Sequence, residues 1–165
     1  MSPGSMIRTA ANLALKLVGY IDFVPALLTR LMVGYAFYDS GGGKIKNFDN
    51  TVNFFTDLGI PFPELNAAFV SRLEYYGGIL LLFGILTRIV AALLSSTMVV
   101  ALLTADRANF VGAFLRTSEM GLSDIAAFVL LVSLSWLVVK GPGLLSVDTL
   151  LKRFVLGGAE PAGTE

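Results

Sequence analysis

The chain has 165 residues, 55% of them hydrophobic and only 15% charged, and its 12 basic and 12 acidic side chains cancel to a formal net charge of zero. Charged residues make up about 25% of a typical soluble domain, so this composition points to a membrane protein, and its scattered basic residues leave no footprint for nucleic acid. Cysteine and histidine are both absent, which excludes disulfides, thiol chemistry and the usual zinc or haem ligands within the chain, and no metal is expected.

Residues 1–20 read as an N-terminal interfacial segment. Within it, residues 6–19 (MIRTAANLALKLVG) form a short amphipathic pattern with Arg8 and Lys16 as surface anchors, and Lys16 interrupts the apolar run that a cleavable signal would need. A hydrocarbon core about 30 Å thick takes about 17 to 25 apolar residues per helix. The stretches 21–38, 66–86, 89–105 and 122–139 meet or approach that length. The expected fold is all-α, a membrane-embedded four-helix bundle over residues 21–151 with an amphipathic interfacial helix in its first loop, followed by a cytoplasmic tail at 152–165.

The first span starts near Ile21 and is expected to end at Ser40-Gly41-Gly42-Gly43, because each glycine costs a helix about 1 kcal/mol relative to alanine. The following loop, residues 39–65, carries Phe48, Phe54, Phe55 and Phe62, too apolar for a loose tether, so residues 47–58 are expected to form a helix on the membrane surface. Gly59-Ile60-Pro61-Phe62-Pro63 then breaks it. The second and third spans, from Asn66 and from Ile89, are separated only by Thr87 and Arg88, which demands an antiparallel hairpin. In the third, Ser95-Ser96-Thr97 bonds either to its own helix's carbonyls, the preferred reading, or across to another helix. Residues 106–121 read as loop, and the fourth span stops at Lys140-Gly141-Pro142-Gly143. An even number of spans puts both termini on one side, with Arg8, Lys16, Arg88, Lys140, Lys152 and Arg153 there against Lys44, Lys46, Arg107 and Arg116 opposite. This six-to-four excess favours cytoplasmic termini.

Arg30, Arg72, Glu74 and Asp124 fall inside the apolar stretches, where each unpaired charge would cost about 2.5 to 3.5 kcal/mol at the bilayer centre. Arg30 lies eight residues before Tyr38 and Glu74 eight after Asn66, so both are expected at the same depth and paired, with Arg72 and Asp124 in the same half of the membrane. Gly34 on one helix, and Gly77 and Gly78 on the other, allow close approach beside them. Such charges either lock the register of the bundle or line a polar pocket. In the second case Arg30 or Lys44 would hydrogen-bond a quinone or an anionic headgroup, Glu74 would exchange protons, and Tyr35, Tyr38, Tyr75 and Tyr76 would supply ring walls. Gly41-Gly42-Gly43-Lys44 lacks the spacing and the preceding strand of a phosphate loop. Ser146 and Asp148 are expected to cap backbone donors at the cytoplasmic end.

The order and spacing of these features resemble the DoxX family of small membrane proteins. The resemblance rests on Arg30-Leu31 with Gly34 and Phe37, the glycine run before Lys44, Leu58-Gly59-Ile60-Pro61, Glu74 with Gly77-Gly78, Gly84, Thr87-Arg88, and Gly141-Pro142-Gly143 followed by Ser146 and Asp148. It implies a bacterial or archaeal inner-membrane protein, in some relatives the small membrane partner of a thiosulfate:quinone oxidoreductase. Persulfide chemistry would need a thiol that this chain lacks, and Ser40 stands where members often carry histidine. The leading expectation is a quinone-pocket or accessory subunit whose oxidoreductase partner supplies the redox centre. A non-catalytic scaffold or assembly protein, a small-solute or lipid transporter, and association into a homo-oligomer are the alternatives.

Overall fold

A computed structural model describes residues 23–117, 119–143 and 146–155. The interfacial segment expected at residues 1–20 and the tail beyond residue 155 lie outside them. The described residues are helical, with no strand among them. In chain order the helices are α1 (Phe23–Lys46), α2 (Phe48–Asp57), α3 (Pro63–Phe83), α4 (Thr87–Leu103), α5 (Arg107–Leu115), a single 3₁₀ turn (Leu122–Asp124), α6 (Ala126–Lys140) and α7 (Val147–Val155).

Helix α1 corrects the first expectation. It runs through the glycine run to Lys46 instead of stopping at Ser40. The reason is packing: a Cβ built on Gly41 would collide with the backbone of Tyr75, and one on Gly78 with the backbone of Tyr38. Missing side chains therefore let α1 and α3 lie backbone against backbone, and that contact outweighs the helix penalty of glycine. The buried face of α1 (Arg30, Val33, Gly34, Phe37, Gly41) follows helical spacing, and its Gly34 and Gly41 lie against α3. Gly77, next to Gly78, serves a different neighbour, since its missing Cβ leaves room for the Leu94 side chain of α4.

The two inter-helix breaks around α3 share one device. Gly59 and Gly84 each adopt a left-handed φ of +69°. Around Gly84 the amide of Ile85 donates to Leu80 O and that of Gly84 to Leu81 O. Ile60 and Gly59 donate in the same way to Phe55 O and Thr56 O. Both are Schellman closures, which satisfy the last carbonyls of a helix and turn the chain sharply. Helix α4 then begins at Thr87, two residues earlier than its apolar run suggests. Residues 106–121 are not all loop: they contain α5, held by the Phe110–Phe114 ring contact at 5.2 Å and by Phe110 against Phe128 of α6.

The longest helices contact in a ring, α1 on α3, α3 on α4, α4 on α6 and α6 on α1. Inside it lie Val33, Phe37, Leu81, Leu94, Met98, Leu102, Leu134 and Leu137. Outward positions on the same helices are also apolar, among them Leu28, Met32, Phe69, Phe83, Ile89, Leu93, Val132 and Trp136. Among the described residues no single helix is long and apolar enough to cross a membrane; α4 and α5 together reach that length and composition, bent by 77°.

Candidate functional site

The extension of α1 to Lys46 redistributes the charged residues expected to gather. It brings Lys44 over α3, where its ammonium pairs with Glu74 Oε2 at 2.5 Å. Ser40, one turn earlier on α1, donates to the same oxygen at 3.0 Å. Glu74 is 1% exposed. A carboxylate that far from water needs a cation and hydrogen bonds to stay charged, and α1 supplies both from positions four residues apart on one face.

Arg30 is not the partner of Glu74. It sits 14 residues before Lys44 on α1, hence about 21 Å away along the axis. There its Nη1 donates to Pro142 O at 2.8 Å, and the guanidinium lies against Gly84 and Ser146, where a Cβ on Gly84 would displace it. The depth match between Arg30 and Glu74 assumed that α1 left the membrane at Tyr38, and that assumption fails with the longer helix. Around Arg30 the end of the molecule is closed by α7. Asp148 accepts from the amides of Leu86 (2.8 Å) and Thr87 (2.9 Å), the first donors of α4, while its own amide donates to Gly84 O. Ser146 Oγ accepts from the Thr149 amide at 3.2 Å and starts α7. Gly141 and Gly143 turn the chain into this cap with φ of +82° and +78°.

Arg72 and Asp124 join neither group. Arg72 is exposed and donates to Ala68 O within its own helix. Asp124 is exposed and accepts from the Gly121 amide at 2.8 Å, closing the 3₁₀ turn. The tyrosines form a cluster of their own: Tyr38 and Tyr75 have ring centroids 5.1 Å apart, Tyr75 and Tyr76 5.3 Å, and Tyr35 is 63% exposed.

Beside the Lys44–Glu74 pair, between α2, α3 and α4, lies a cavity of about 240 Å³. Phe54 and Phe55 of α2 and Phe69 of α3 give it aromatic walls; Lys44 and Glu74 form one polar wall, and Ser96 and Thr97 of α4 with Thr104 just after it another. Helix α2 is held over this end by Thr51 Oγ1, which donates to the carbonyls of Lys44 and Asn47. Of the charged and tyrosine residues expected at a site, only Lys44 and Glu74 line the cavity. Of the two expectations for the α4 hydroxyls, the helix-internal one holds: Ser95, Ser96 and Thr97 donate to Ala91, Leu93 and Leu94 carbonyls. Their lining of a cavity depends on which way α4 faces, which no residue spacing states.

The described residues thus form a helical fold with an apolar exterior and an aromatic cavity bordered by the Lys44–Glu74 ion pair. The DoxX family model matches residues 26–107, which contain α2, α3, α4 and the whole of that cavity. "Putative oxidoreductase CatD" of Bacillus subtilis (strain 168) is 30% identical over 125 residues, covering 76% of this chain and 85% of that protein. "Inner membrane protein YqjF" of Escherichia coli (strain K12) is 30% identical over 135 residues, covering 81% and 96%. "Inner membrane protein YphA" of the same organism is 31% identical over 142 residues, covering 78% and 95%. No solved structure shows significant similarity to the chain. The chain belongs to the DoxX family.

Proposed function

We propose that this protein is a four-helix inner-membrane accessory subunit that holds a quinone-type ring in the cavity beside Lys44 and Glu74 for an oxidoreductase partner. The observation that carries this reading is a buried glutamate paired with a half-buried lysine beside an aromatic cavity. Ligand pockets for extended, drug-sized molecules run from about 300 to 1,000 Å³. At about 240 Å³ this one suits a single substituted ring. Phe54 and Phe69 supply flat apolar contacts, and Lys44, one of whose N–H groups is spent on Glu74, has others to donate to a ring oxygen. The apolar outward faces of α1, α3, α4 and α6 support immersion in lipid. A chain without cysteine or histidine supplies position and hydrogen bonds, while the bound ring and a partner supply the electron chemistry.

Quinone content, measured by mass spectrometry in native-membrane nanodiscs, tests the reading. The wild type should be enriched over discs from an empty-vector strain. Ala101→Phe, which fills the cavity from α4, should lose the enrichment, and Arg72→Gln, outside the cavity, should keep it. Equal quinone in all samples would reject the ring site and favour a scaffold without a ligand.

A further inference from the structure

We infer that the cavity selects the dihydroxy, quinol form of its ring over the quinone form. The inference rests on the ring site proposed above and concerns binding alone, with no electron transfer in it.

The polar wall offers more acceptor sites than free donors. Both bonds to Glu74, from Lys44 and Ser40, end on Oε2, and among the described residues none reaches Oε1. The α4 hydroxyls that line the cavity have already committed their hydrogens. Ser96 donates to Leu93 O at 2.6 Å, Thr97 to Leu94 O at 2.8 Å and Thr104 to Val100 O at 2.7 Å. A hydroxyl has one hydrogen and two lone pairs, so what these residues offer a ligand is acceptor capacity. Asn66, at the α3 edge of the cavity, spends one of its two amide N–H groups on Pro61 O at 2.6 Å and keeps the other. Lys44 is the charged donor facing the cavity, set against the acceptor-only carboxylate of Glu74.

A quinone presents carbonyl oxygens, which only accept. In this cavity they can take bonds from the remaining N–H groups of Lys44 and from the second N–H of Asn66, while Glu74 and the hydroxyl oxygens of Ser96, Thr97 and Thr104 meet them lone pair against lone pair. A quinol hydroxyl accepts from Lys44 and also donates, and Glu74, which lines the cavity, keeps in Oε1 an acceptor with no other donor on it among the described residues. Hydrogen bonds to a charged group are stronger than neutral ones, and an unmatched buried acceptor carries its full desolvation cost. Together these effects correspond to a preference of about tenfold or more for the quinol.

The test is equilibrium binding of decylbenzoquinone and of its reduced quinol to the purified protein in lipid nanodiscs under anaerobic conditions. The wild type should bind the quinol at least about tenfold more tightly. In Glu74→Gln, whose amide accepts and donates, the ratio should fall towards one. Equal affinities or a tighter quinone in the wild type would overturn the selectivity while leaving the ring site standing. Binding of neither form would overturn both. A ratio unchanged in Glu74→Gln would remove Glu74 as its source. The wild-type ratio decides the matter even if the variant does not fold.

Discussion

Arg30 and Glu74 are buried to nearly the same extent, 3% and 1% exposed, and are satisfied by different chemistry at opposite ends of α1. Arg30 is a brace: its guanidinium lies against a glycine turn and bonds the carbonyl of Pro142. Glu74 is held by a mobile type of side chain, a lysine that is itself 30% exposed and borders a cavity. Only the second arrangement leaves a charged group able to exchange partners. Asp148 belongs with the brace, because its carboxylate accepts the first two amides of α4 across 61 and 62 residues of sequence. Asp148→Ala should therefore lower stability by about 1 to 2 kcal/mol, the upper range for losing a helix cap. The check is the midpoint of thermal unfolding in nanodiscs, where an unchanged midpoint would show that the cap carries no weight. Individual charges were legible in the sequence as unusual, and their partners were not. Pairing was read from depth, and depth depended on where α1 ends.

At the scale of the element, the glycine run shows why that end was misplaced. Helix propensity counts Gly41, Gly42 and Gly43 alike, about 1 kcal/mol each against alanine. The fold treats them differently. Gly41 sits where a Cβ would strike the backbone of α3, Gly42 lies against the Tyr75 ring, and Gly43 has nothing within 4 Å of its Cβ position. Gly41→Ala should cost about 1 to 3 kcal/mol by forcing the helices apart, and it should disturb the Lys44–Glu74 contact one turn further on. Gly43→Ala should be neutral or stabilise by up to about 1 kcal/mol, as expected for alanine in an open helical position. Chemical denaturation of both variants would separate the cases, and equal effects would deny the close packing of α1 on α3. The amphipathic α2 was legible because phenylalanines set in a polar stretch make an amphipathic helix a better reading than a loose loop. Helix α5 was not, since Gly112 and the flanking charges resemble loop composition, and its i to i+4 pair Phe110 and Phe114 was the signal available.

For the whole molecule, the ring of α1, α3, α4 and α6 has two dissimilar ends. One carries α2, the Lys44–Glu74 pair and the cavity; the other carries α7, Arg30 and the Asp148 cap. The excess of basic residues near the termini predicts that the α7 end faces the cytoplasm and the α2 end faces outward. A chain without native cysteine is suited to a direct check. Asp57→Cys should react with an impermeant maleimide in intact cells, and Thr149→Cys only after permeabilisation. The reverse pattern would invert the topology. The number and rough position of the long helices followed from hydropathy, whereas the cavity did not, because it is a gap between α2, α3 and α4 that only their relative rotation creates.

The central claim is that this cavity holds a quinone-type ring, and the most direct measurement is photoaffinity labelling with an azidoquinone followed by peptide mapping. Labels should fall on α2, α3 and α4 around Phe54, Phe69 and Thr97 and should be competed away by unlabelled quinol. Labels spread over the outward apolar faces of α1 and α6, or unaffected by competitor, would contradict it.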